Sequence, residues 1–185
     1  MFMKRIITGC LAFILMMMLG GCSNTPKYDE VYQKMVDDGY QFQYSYVDME
    51  SSKGRYYTLK VMPKSFSLKE SSYLYVNHND YEEESKNDSV IVTIYHAQDG
   101  QVYGINTNVE QQTMVNGTCF LDYKSMKPLE SGVGSCENVD MDKMKEQKIK
   151  INEFVESYGL KLDQVKGFYD WYVENHGDEA SKETK

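Results

Sequence analysis

Between Tyr40 and Val47 the chain alternates without a break, with Tyr40, Phe42, Tyr44 and Tyr46 on one side and Gln41, Gln43, Ser45 and Val47 on the other. A period of two belongs to a β-strand, whose successive side chains point to opposite faces. The pattern returns downstream. "RYYTLKVM" (55–62) sets Tyr57, Leu59 and Val61 on one face, and "SVIVTIYH" (89–96) is the most apolar run, suited to a central strand. "SYLYVN" (72–77), "QVYGIN" (101–106), "QQTMV" (111–115) and "TCFLDY" (118–123) read as further strands, and Phe66 with Leu68 predicts a short one after Pro63. Turn chemistry separates them: "ESSKG" (50–54), Asp99-Gly100 and Asn116-Gly117. Such short links join antiparallel neighbours, because a parallel crossover needs a dozen residues or more.

The period shifts to that of a helix at both ends. Tyr28, Val31, Tyr32, Met35 and Val36 repeat at helical spacing, and Gly39 supplies a stop. Met141, Met144, Ile151, Phe154, Val155 and Tyr158 trace a second stripe behind Asp140, a predicted N-cap, and ending at Gly159. Asp163 is a predicted cap for a third helix carrying Val165, Phe168, Tyr169, Tyr172 and Val173. The expected fold is α+β: a mostly antiparallel sheet of about seven strands, a short N-terminal helix and two C-terminal helices on one sheet face. "NHNDYEEESKND" (77–88) has no period to bury and reads as an exposed acidic loop. Residues 177–185 are polar and read as a flexible tail.

Lys4 and Arg5 precede an apolar run of 14 positions, Ile6 to Leu19. A membrane-spanning helix needs about 20 apolar residues, whereas a secretory signal needs only about 7–15 followed by small residues. The run ends in Leu19-Gly20-Gly21-Cys22, which resembles the lipobox of bacterial lipoproteins. The resemblance covers residues 1–22 and implies removal of residues 1–21 and a diacylglyceryl group on the Cys22 thiol. Fatty acyl chains such as palmitate then hold the protein at the cell membrane, with the domain on the extracytoplasmic side. Two or more chains give stable anchorage, each buried CH₂ contributing about 0.8 kcal/mol. Residues 22–27 would be a short lipidated tether, and 28–176 a single domain.

Cleavage would leave 18 basic against 28 acidic residues, with Arg55 the sole arginine. Nucleic-acid binding depends on lysine and arginine neutralising phosphates, so an acidic exterior excludes it as a partner. Cys119 and Cys136 then form an even pair in a compartment that permits oxidation. A bond between them is predicted, and closing a loop of about 17 residues is worth about 3 kcal/mol in the chain-entropy model. Neither cysteine belongs to a C-x-x-C motif or has a histidine nearby, which argues against redox or zinc chemistry.

The row Tyr40, Phe42, Tyr44, Tyr46 has two readings. It packs beneath the helices as core, or it faces outward and stacks on glycan or an apolar peptide. Glu82, Glu83 and Glu84, with Asp80 and Asp88, carry cation-binding oxygens, but their spacing fits no EF-hand and a solvated loop is expected. His78, His96 and His176 form no H-E-x-x-H pair, and neither a G-x-S-x-G motif nor a glycine-rich phosphate loop is present. No metal or cofactor is implied. The expected function is a non-enzymatic interaction module near the membrane, whose partner is a protein, a peptide or a glycan. The alternative is a cell-envelope hydrolase acting on wall or peptide substrate.

Overall fold

Alternation becomes pairing in register. A computed structural model describes residues 26–49, 54–81, 88–108, 111–129 and 136–183. Helix α1 (Tyr28–Asp37) leads into β1 (Tyr40–Met49), β2 (Gly54–Pro63), β3 (Glu70–Tyr81) and β4 (Ser89–Gln98). Then come β5 (Gln101–Asn106), β6 (Thr113–Asn116), β7 (Cys119–Asp122), α2 (Met141–Ser157), α3 (Val165–His176) and β8 (Ser181–Lys182). The sheet order is β7-β6-β5-β4-β3-β2-β1-β8. Every pair from β1 to β7 is antiparallel, and β8 alone runs parallel, along β1. This is the expected α+β fold.

The β4–β5 turn shows how local chemistry sets the register. Asp99 and Gly100 both lie in the left-handed region, at φ 52° and 79°. Positive φ at both central residues defines the type I′ turn, whose twist matches that of the flanking strands. Glycine adopts it freely and aspartate tolerates it better than most residues. The bond between Cys119 and Cys136 is present as predicted.

One sheet face carries Leu59, Val61, Leu74, Val76, Val92, Ile94, Ile105, Met114 and Leu121, all buried. The three helices of the described residues pack there, through Val31 and Met35 of α1, Met144, Ile151 and Val155 of α2, and Val165, Phe168, Tyr169 and Tyr172 of α3. Burying each such large apolar side chain contributes about 1.5–3 kcal/mol relative to leaving it in water. Asp140 caps α2 as the spacing predicts: one carboxylate oxygen accepts from the backbone N–H of Asp142 and of Lys143, each at 3.0 Å.

Four local expectations are corrected. Phe66 and Leu68 form no strand; they sit in the β2–β3 connection, 38% and 49% exposed. There the Ser71 hydroxyl accepts from Ser67 N–H and the Ser67 hydroxyl from Lys69 N–H, replacing ladder bonds with side-chain bonds. Asn77 to Tyr81 are not loop but the end of β3, paired with β2 and through Asn79 with β4. Their polar side chains find partners in the sheet, as when Asn79 Nδ2 donates to Ser89 Oγ at 3.0 Å. Asp163 is no cap: it lies inside a 3₁₀ turn, Leu162–Gln164, where Lys161 N–H donates to Gln164 Oε1 at 2.9 Å. Leu160 and Leu162 both reach the core, 3% and 8% exposed, which forces that tight path. Residues 177–183 do not trail from the domain. A 3₁₀ turn, Gly177–Glu179, brings β8 onto the β1 edge, where Glu183 N–H donates to Tyr46 C=O at 2.9 Å and its carboxylate accepts from Ser45 Oγ at 2.6 Å. An edge strand offers unpaired backbone groups, and the tail takes some of them.

Candidate binding face on the open side of the sheet

The row of rings on β1 faces the helices. Tyr40 lies 5.9 Å from the Phe154 ring and 6.0 Å from Tyr158, and its hydroxyl donates to Ser72 C=O at 3.1 Å. Phe42 stacks on Tyr172 at 5.2 Å, and Tyr44 stacks on Tyr57 at 5.6 Å. Burial pushes the Tyr40 and Tyr44 phenols above the ordinary tyrosine value. Tyr46, at the end of the row, lies beneath the Arg55 guanidinium, 4.8 Å from its ring centre. Of the two readings, packing beneath the helices describes Tyr40, Phe42 and Tyr44. Cys22 and Glu82 to Glu84 lie outside the described residues.

The histidines are dispersed. His78 Nδ1 meets Tyr169 Oη at 3.0 Å, and His176 stacks between Tyr32 and Tyr172 with Nδ1 3.3 Å from Glu179. Among the described residues no three histidine, cysteine or acidic side chains are grouped to hold a metal. A cleft of about 500 Å³ opens beside the end of α2, lined by Gln112, Tyr123, Asn152, Lys161 and Asp163 among others. Among the described residues its lining contains no serine, threonine, cysteine or histidine.

His96 is 5% exposed, with Nδ1 2.8 Å from Ser72 Oγ. Its Nε2, like Oε1 of the fully buried Gln147, has no partner among the described residues. Burial, aided by the nearby Lys150 and Lys143 charges and opposed by Glu70 and Glu146, lowers its pKa. The folded state therefore holds this proton less tightly than the unfolded chain, whose histidine titrates near about 6.5. His96 thus stabilises the fold fully above that pH, and the contribution is lost as pH falls from there through the folded value. Urea unfolding at pH 7.5, 6.5 and 5.5 should show wild type losing more stability than His96→Gln over this span. Equal losses would mean that His96 takes up its proton equally readily in the folded and unfolded chain.

Among the described residues no helix covers the opposite sheet face, although Thr58, Thr93 and Ala97 on it are buried among their neighbours. Outward positions follow from the register: Tyr56, Thr58 and Lys60 on β2, Tyr73, Tyr75, Asn77 and Asn79 on β3, and Ile91, Thr93 and Tyr95 on β4. None of the three helices packs on them. Tyr73 pairs with Tyr95 across β3 and β4, and their rings stack at 4.9 Å and 21°. Phe66 meets Tyr73 edge-on at 5.5 Å. Tyr95 leans over its cross-strand neighbour Gly104, where a Cβ would stand 2.8 Å from the ring. The ring therefore needs glycine beneath it. Val115 on β6 and Phe120 on β7 continue the band in register.

Beside this band runs a polar row. Gln43, Lys60, Tyr75, Thr93, Asn106, Thr113 and Asp122 are neighbours in successive pairings from β1 to β7. The Lys60 ammonium sits 5.8 Å from the Tyr75 ring centre. The Tyr56 hydroxyl donates to Asn77 Oδ1. Burial, with Tyr95 adjacent, pushes the Tyr73 phenol up to about 12, so the hydroxyl stays a neutral donor at ordinary pH. Lys60 and Asp122 are the only charged side chains at the outward positions of β1 to β7, on a chain of net charge −8.

The candidate face is thus a different set of tyrosines from the one singled out by alternation on β1. The signal was parity: Tyr73 and Tyr75 alternate with Leu74 and Val76, and Tyr56 shares its side of β2 with Thr58 and Lys60 rather than with Leu59 and Val61. A tyrosine out of phase with the aliphatic residues of its own strand points away from the core. Comparison of the chain with protein-family models, with curated proteins and with solved structures finds no match, so the reading of this face rests on its own geometry and chemistry.

Proposed function

We propose that the protein is a non-enzymatic binding module, lipid-anchored at the outer side of a bacterial cell membrane, that works through the open face of its sheet. The observation that carries this reading is that face: outward tyrosines, amides and hydroxyls on β1 to β6, with the three helices of the described residues on the other side. An antiparallel sheet ordinarily solvates one face, but with polar residues rather than a braced band of rings. The lipobox-like Leu19-Gly20-Gly21-Cys22 supports the anchor. The Cys119–Cys136 bond supports an oxidising compartment, because reducing cytosol keeps thiols free. Among the described residues no helix is long and apolar enough to cross a membrane.

Anchorage raises the local concentration of the domain against anything at the envelope, and can strengthen attachment by about 10²-fold or more without new contacts. Cells fed a tagged fatty acid should label the wild-type protein, which should sediment with membranes; Cys22→Ala should lose both properties while purified protein keeps its circular dichroism. Crosslinking in intact cells should then capture an envelope component with wild type and not with Tyr73→Ala/Tyr95→Ala. Membrane retention that survives Cys22→Ala would remove the anchor. Capture indifferent to the ring substitutions would remove the face.

A further inference from the structure

We infer that the open face takes an uncharged polysaccharide strand, an inference that rests on the binding-module reading above. The first argument is charge complementarity. The outward positions of β1 to β7 carry one lysine and one aspartate, which cancel, and the docked tail adds only the Glu183 carboxylate at the β1 edge, bonded to Ser45. A phosphate-bearing ligand would need a cluster of cations and a cationic peptide a cluster of carboxylates. This face has neither. A neutral ligand loses nothing by docking there.

The second argument is the pairing of side-chain types. A pyranose presents an apolar C–H face and a rim of hydroxyls, and requires aromatic rings beside neutral donors and acceptors. Tyr73 and Tyr95 supply rings in contact, and the adjacent row supplies Gln43, Asn106 and Thr113. The rings are braced before any ligand arrives, Tyr73 by Phe66 and Tyr95 by the space above Gly104. Bracing removes part of the ordering cost that weak carbohydrate contacts struggle to offset. The third argument is extent. From Tyr73 on β3 to Phe120 on β7 the band crosses four strand spacings, on the order of 20 Å. That length suits an extended run of several sugars better than a single one.

The test uses the lipid-free form of the full domain, bearing Cys22→Ala, with three insoluble or immobilised probes. These are chitin and cellulose, both neutral, and polygalacturonate, which is acidic. Retention is expected on at least one neutral polymer and not on the acidic one. It should change less than about twofold between about 0.05 M and about 0.5 M NaCl, because no ion pair is being screened. Adding Tyr73→Ala and Tyr95→Ala should weaken retention by about tenfold, while Tyr40→Phe, on the helix side, should leave it unchanged. An unaltered urea midpoint for Phe66→Ala, with weaker retention, would support the same face without disturbing the core.

No retention on either neutral polymer, or retention that collapses with salt, overturns the glycan assignment. The intact-cell capture then separates the two levels. If Tyr73→Ala/Tyr95→Ala still abolishes capture of an envelope protein, the face binds protein and the module reading stands. If capture survives those substitutions, both readings fall.

Discussion

Replacing Phe168 with alanine is expected to cost about 3–5 kcal/mol of unfolding free energy, a large fraction of the roughly 5–15 kcal/mol available to a domain. Phe168 is fully buried, and its ring contacts span the molecule: Tyr28 on α1 at 6.1 Å, Phe42 on β1 at 6.3 Å and Trp171 on its own helix at 6.0 Å. It also borders the small apolar space where Met35, Leu74, Ile94, Phe154, Val155, Leu160 and Val165 converge. No neighbouring loop can collapse into the gap, because every wall belongs to a helix, to the sheet or to the tight turn before α3. The cost should therefore fall at the upper end for its type. Urea unfolding followed by circular dichroism measures it directly. Phe66→Ala, on the open face and 38% exposed, should cost less than about 1 kcal/mol. Similar losses at the two positions would mean that the helices do not lock onto the sheet through this ring.

The contrast between Phe168 and Phe66 is also the contrast between the two faces of one sheet. On the helix side, β1 contributes Phe42 and Tyr44, β2 Leu59 and Val61, β3 Leu74 and Val76, and β4 Val92 and Ile94. On the other side the same strands place Gln43, Lys60, Tyr75 and Thr93 side by side. Stability and recognition are thereby carried by different parities of the same strands. Substitutions at Tyr73 and Tyr95 leave the helix-side core untouched, so binding can be tested there with the urea midpoint as the control for the fold.

How much of this was readable in advance depended on whether local pattern or tertiary contact decides the structure. Alternation at Tyr40 to Val47 and at Tyr57, Leu59 and Val61 marked strands because their faces differ in polarity along a short stretch of chain. Asp140 was readable because an N-cap bonds only two and three residues ahead. Asn77 to Tyr81 were not, because nothing in "NHNDY" favours a strand; the ladder from β2 imposes it. The docked tail was equally hidden, since β8 exists only where the β1 edge is vacant. The ring row on β1 was visible as one face, but whether helices cover that face is decided by residues more than a hundred positions away, at Phe154, Tyr158, Phe168 and Tyr172. The candidate face on β3 and β4 lay in the phase of Tyr73 and Tyr95 against their aliphatic neighbours, a signal that needs both strands at once.

Removing the disulfide should produce the second large effect. Cys119, 1% exposed, sits at the start of β7, the short strand at one edge of the sheet. Cys136 lies 17 residues on, just before Asp140 and the start of α2. Between them the chain turns back along β7, with Asp122 N–H donating to Lys127 C=O at 2.9 Å and Leu129 N–H to Phe120 C=O at 3.0 Å. The bond thus ties the sheet edge to the segment that leads into a core helix. A closed loop of that length contributes about 3 kcal/mol by restricting the unfolded chain. For a domain of this size that corresponds to a Tm lower by about 6–12 °C in Cys119→Ala/Cys136→Ala. A thiol reductant should shift wild type by a similar amount and leave the double variant where it is. A loss below about 1 kcal/mol would mean that β7 and the start of α2 are held together without the bond. A full loss would give the protein a physical reason to fold outside the reducing cytoplasm, as the proposed anchorage requires.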